Sequence, residues 1–158
     1  TEVLRARGYH LLLGSSGFDL LHPDDLHTYD ERPAPHAVFT SPQIGAVGLT
    51  EQQARASGQP FVAITHAFGD AAYGWAMEDT TGFCKLIGDP RTRTVIGAHL
   101  IGHQASMLVQ LLVQGMHLGN TADEMATGQV WIHPALSEVV EQALLKLIEA
   151  FDSHVWLH

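Results

Sequence analysis

"GFCKLIGDPRTRTVIGAHLIG", residues 82–102, holds two apolar runs around one short polar break. The runs, 82–88 and 94–102, flank Asp89-Pro90-Arg91. Proline presets a turn-compatible φ, and an aspartate carboxylate can bond backbone N–H groups just downstream. The segment therefore predicts two antiparallel strands joined by a turn.

Toward the N-terminus the pattern stays strand-like. "AVFT" (37–40) and "GAVGL" (45–49) are short apolar runs separated by Ser41-Pro42, and "FVAITHAF" (61–68) is rich in β-branched and aromatic residues. Between them Thr50 and Gln53 have the spacing of a capping box, which predicts a short helix over 50–57 stopped by Gly58. Toward the C-terminus the period changes, and helices are expected over 103–118, 121–127 and 135–149. Strands followed by helices define an α+β class: an antiparallel sheet of about four to five strands with helices on one face. A βαβ dinucleotide fold does not fit this order. Residues 1–36 mix Gly, Ser, Pro and Asp and read as an arm or linker, 37–150 as the folded domain and 151–158 as a tail.

Composition narrows the function. The chain has 158 residues, long enough for one domain with a true core. Its 17 carboxylates against 8 Lys and Arg give a net charge of −9 without a basic cluster, which argues against nucleic acid as a partner. No apolar run reaches the ~18–20 residues of a membrane span. The longest, 104–118, is broken by Gln110 and Gln114. Cys84 is the single cysteine, which excludes an internal disulfide and points to a reducing, cytoplasmic setting. Because the chain starts at Thr1 and not at a methionine, a fragment or processed product is expected.

Two helices invite a partner. In 103–118, Met107, Leu108, Val109, Leu111, Leu112, Val113, Met116 and Leu118 cover nearly the whole circumference, and Ser106, Gln110 and Gln114 form a narrow uncharged seam. A helix apolar all round is buried on all sides, and burial by another chain or domain is expected here over burial in this core alone, with Leu112 in the self-association face. Uncharged glutamines suit a two-fold interface, where like charges would meet themselves. In the last helix, Leu136, Val139, Val140, Ala143, Leu144 and Leu147 make one apolar stripe, with Glu138 and Leu145 expected on the opposite, outer side.

His133 stands just ahead of that helix. Pro134 fits the first helical position, where a missing N–H costs nothing, and it keeps His133 out of helical geometry. Glu138 would then lie in the first turns, within reach of a ring N–H. A His–carboxylate pair fixes the tautomer and supports proton transfer near neutral pH. His-Pro pairs also open helices that carry no chemistry, and spacing alone leaves both readings open. The remaining histidines form no metal motif: there is no HExxH, and one cysteine cannot build a Cys-rich zinc site. His22, His27 and His36 fall in the arm, while His66, His99 and Cys84 fall in strands, where packing is expected. Tyr73, Trp75 and Met77 are expected to pack in the core or a loop.

"FTSPQIGAVGLTEQQAR" (39–55), "GFCKLIGDPRTRTVIGAHLIGHQASMLVQ" (82–110) and "HPALSE" (133–138) together resemble the C-terminal dimerisation domain of the flavoprotein disulfide reductase family. The His-Pro-x-x-x-Glu motif is the most specific piece. The resemblance covers about residues 20–148. It implies a homodimer in which His133 enters the partner subunit's active site, with Glu138 behind it, as acid–base toward a thiol exchanged with a redox disulfide. It further implies FAD reduced by NADPH or NADH, with His133 and Pro134 near the partner's flavin, and a small disulfide as substrate. No G-x-G-x-x-G, paired cysteines or βαβ unit occurs in the chain, so no cofactor is expected on this chain alone and the chain alone is expected to be inactive. The competing readings are a non-catalytic dimerisation module and the same domain from another disulfide reductase of the family. A His-rich metal-binding protein ranks behind both.

Overall fold

The computed structural model describes residues 33–153. The arm up to residue 32, with His22 and His27, and the tail from 154 lie outside the described residues. Five strands form one antiparallel sheet: β1 (His36–Val38), β2 (Gln43–Gly48), β3 (Val62–Ala67), β4 (Phe83–Asp89) and β5 (Thr94–Gly102). Their order is β1-β2-β5-β4-β3. The 82–102 segment forms the expected hairpin, with Phe83 opposite Ile101 and Leu86 opposite Ala98. Its turn is held by Asp89, whose carboxylate accepts from the Arg91 backbone N–H at 2.8 Å and from the Arg91 guanidinium at 3.0 Å.

Helix α1 (Glu51–Ala56) carries the capping box that Thr50 and Gln53 announce: each side chain accepts the other's backbone N–H. Helices α2 (Ala72–Ala76), α3 (Ala105–Leu118), α4 (Ala122–Thr127) and α5 (Glu138–Asp152) follow. A second capping box, Thr121 with Glu124, starts α4.

The main core lies between the sheet and α3 with α5. Cys84, Leu86, Ala98 and Leu100 from the strands meet Leu108, Leu112, Val139, Val140, Leu144 and Leu147 from the helices. Full burial of one such leucine stabilises by about 1.5–3 kcal/mol. By strand alternation Ile87 points to the other face, where it joins Phe61 and Ala54 of α1 in a smaller cluster. Close approach of α3 to β2 requires Gly45, since a Cβ there would sit 2.5 Å from the Ala105 carbonyl oxygen. Ser106 fastens the same junction by donating to Gln43 Oε1 at 2.8 Å.

Several expectations are corrected by this packing. Helix α3 is not apolar toward solvent all round: Leu108, Val109, Leu112 and Val113 face this chain's own core. Met107 and Leu118 remain exposed, with Gln110 and Gln114 between them. Leu112 is therefore a core residue and not an interface residue. Pro134 does not open α5. The helix starts at Glu138 because residues 135–137 make a tight turn, in which Glu138 N–H bonds Ala135 O at 3.2 Å and Val139 N–H bonds Leu136 O at 3.1 Å. At the other end α5 continues through Phe151, which is buried against Gly88 and under the Arg93 guanidinium, 5.4 Å from its ring centroid. Tyr73, Trp75 and Met77 are exposed and do not fill the core.

Candidate functional site

The segment from Gly128 to Ser137 joins α4 to α5 and carries His133 at an exposed bend. The His133–Pro134 peptide bond is cis. His133 Nδ1 lies 2.7 Å from Glu138 Oε1, and the Ala135 backbone N–H donates to Glu138 Oε2 at 2.8 Å. Both carboxylate oxygens are thus engaged. The ring N–H bond, followed by the Ala135 bond, holds the Glu138 carboxyl below the usual glutamate range. Glu138 is therefore ionised at neutral pH and can only accept, so the proton on Nδ1 belongs to the imidazole. With Nδ1 occupied, Nε2 carries the lone pair that can take a proton from another group.

Exposure divides the pair sharply. The His133 side chain is 71% exposed, whereas that of Glu138 is 8% exposed. Glu138 was expected on the solvent side opposite the apolar stripe; the observed helix start turns it inward under the His133 bend instead. Leu145 keeps its outer position. Pro134 is exposed beside the histidine, as are Val130 and Ile132. Trp131 between them is half-buried, and its indole N–H donates to the Ala126 carbonyl at 2.8 Å. Neither the Ala135 N–H nor this Trp131 anchor has a signal in sequence periodicity. Only a tryptophan flanked by two aliphatic residues that stay exposed marks the second.

The other candidates stand apart. His66 is buried on β3, directly across from Cys84 on β4. His99 Nε2 is 2.9 Å from the Leu49 carbonyl oxygen, a packing role. His36 is exposed on the edge strand β1. The Cys84 thiol is buried, which pushes its pKa far above that of a reactive thiol. Among the described residues no three His, Cys, Asp or Glu side chains are grouped so as to hold a metal ion. No described helix is long and apolar enough to cross a membrane.

The site is thus a solvent-facing imidazole backed by a buried carboxylate, mounted on a five-stranded α+β domain. The sequence matches the pyridine nucleotide-disulphide oxidoreductase dimerisation domain over residues 34–144, and the chain belongs to that family. Within it, the chain is 58% identical over 118 residues to the mycothione reductase of Mycobacterium tuberculosis, which covers 75% of this chain and 26% of that protein. It is 37% identical over 119 residues to the dihydrolipoyl dehydrogenase of Mycobacterium leprae, covering 75% of this chain and 25% of that protein. The chain thus spans about a quarter of the length of these relatives. Among solved structures, LpdA from Mycobacterium tuberculosis shares the fold, with a TM-score of 0.73 at 24% identity over 85% of this chain and 29% of that one. The HOCl-induced flavoprotein disulfide reductase RclA from Escherichia coli superposes with a TM-score of 0.70 at 28% identity over 87% of this chain and 30% of that one.

Proposed function

We propose that this domain belongs to a homodimeric, cytoplasmic, FAD- and NAD(P)H-dependent disulfide reductase and presents His133 to the thiol–disulfide centre of the second subunit. The observation that carries the reading is the inverted exposure of the pair: the ring lies open while the ionised carboxylate that orients it is buried with both oxygens satisfied. An exchange reaction needs such a group. When an enzyme thiolate attacks a substrate disulfide, a new S–S bond forms, the old one breaks, and the departing thiolate needs a proton. Imidazolium at His133 donates it from Nε2, and Glu138 holds the ring by its Nδ1 side. The neutral ring then takes up a proton when the next thiol is ionised.

Bound FAD would supply the route by which electrons from NADPH reach the cysteine pair. The residues of this chain that fit an approach to it are exposed ones, His133 and Pro134. A mycothione-type disulfide is the favoured substrate, supported by the 58% identity to mycothione reductase.

In the full-length enzyme, His133→Gln should slow the thiol–disulfide half-reaction about 10²–10⁴-fold, the usual worth of a positioned acid–base group. Flavin reduction by NADPH should stay near its normal rate. Stopped-flow measurement of the two half-reactions decides the matter. Equal slowing of both would make His133 a structural residue of a dimerisation module, and the acid–base reading would fall.

A further inference from the structure

We propose that Trp131 is a positioning residue for His133, holding the upstream side of the bend as Glu138 holds the downstream side. The proposal rests on the acid–base reading of His133. Between the end of α4 and the turn at 135–137, residues 129–134 make no backbone–backbone hydrogen bond to other described residues. Side chains hold the segment instead. Gln129 Nε2 donates to the Met125 carbonyl at 3.3 Å, a long bond close to the helix end. Trp131 donates its indole N–H to the Ala126 carbonyl at 2.8 Å and packs its ring against the main core. Its neighbours are turned outward, Val130 at 97% and Ile132 at 73% exposure. Of the four consecutive residues 130–133, Trp131 alone faces inward. It fixes the backbone two residues before the imidazole.

The Trp131 bond matters because acid–base transfer is sensitive to position. A displacement of about 1 Å can cost about a hundredfold in rate. Glu138 fixes the Nδ1 end of the ring and the Ala135 N–H, but both of these attachments lie at or downstream of residue 133. Without the indole bond the upstream backbone could swing about the Pro134 bend and carry the ring with it. Trp131 makes no proton transfer of its own.

The test uses the full-length enzyme and four forms: wild type, Trp131→Phe, His133→Gln and the double variant. Phenylalanine keeps an aromatic ring on the core and removes the donor. Trp131→Phe should leave flavin reduction by NADPH unchanged and lower kcat of the thiol–disulfide half-reaction about tenfold, the worth of one well-formed hydrogen bond. In the His133→Gln background the same change should have no further effect, because the residue acts through the imidazole. Additive losses in the two variants would overturn the proposal, as would a Trp131→Phe enzyme of normal rate. If His133→Gln itself left the half-reaction intact, the underlying acid–base reading would fail instead. Should Trp131→Phe yield no folded holoenzyme, benzothienylalanine at 131, which keeps the bicyclic shape without the N–H, gives the same comparison.

Discussion

His133 and His66 are opposite solutions to placing an imidazole in one domain. His133 has its ring in solvent and its partner, Glu138, under the surface. His66 has its ring under the surface, and neither ring nitrogen has a hydrogen-bond partner among the described residues. Burial lowers the His66 pKa, and the Lys146 ammonium lowers it further, against smaller opposing effects of Asp70 and Gln142. That ring is therefore neutral at pH 7 and is shut off from solvent. The two rings differ in which group the structure buries: the partner carboxylate at His133, the imidazole itself at His66.

The same division between covered and presented groups runs along α3 and gives the largest expected effect. Leu112→Lys places an ammonium in the core and should destabilise the chain by about 4 kcal/mol, seen as loss of the cooperative urea transition. Met107→Lys with Leu118→Lys, both on the exposed side, should leave that transition within about 0.5 kcal/mol per change. By sedimentation the double variant should weaken self-association. Unaltered self-association would remove this face of α3 from any dimer contact.

Glu138→Gln sharpens the contrast between the histidines. The amide can still accept from Nδ1 but lacks the charge that makes the bond strong, so thiol–disulfide turnover should fall about tenfold. A loss as large as that of His133→Gln would make the carboxylate more than an orienting group and would break the comparison. Acid should also bear on this pair. The Glu138 pKa is lower in the folded chain, so its contribution to stability is present above the unfolded value and is lost as pH falls through the folded one.

The smallest effect belongs to His66. Its pKa is lower in the folded chain than in the unfolded, so below about pH 6.5 the unfolded chain binds the extra proton and stability falls with pH. The slope from this one site is at most about 1.4 kcal/mol per pH unit. His66→Leu should remove that slope between pH 7.5 and 5.5 in urea midpoints while leaving turnover unchanged. A persistent slope in the variant would assign the acid sensitivity to another group.

Much of this protein is written locally. The hairpin is set by two apolar runs around Asp89-Pro90-Arg91, and α1 by the reciprocal cap of Thr50 and Gln53, because turns and caps are made by residues a few positions apart. The stripe on α5 follows from helical spacing alone. The His-Pro-x-x-x-Glu spacing likewise marks a candidate pair. Tertiary structure decided the rest. Helix α5 begins at Glu138 because the turn at 135–137 uses Glu138's own carboxylate on Ala135. That start carries the side chain inward, where no periodicity argument would place it. Which half of α3 is covered depends on Gly45 admitting the helix to the sheet at one particular rotation. Trp131 faces inward because a carbonyl at the end of the preceding helix lies within reach of its N–H. Such contacts depend on where separate elements come to rest against one another, and neighbouring residues in the chain do not encode that.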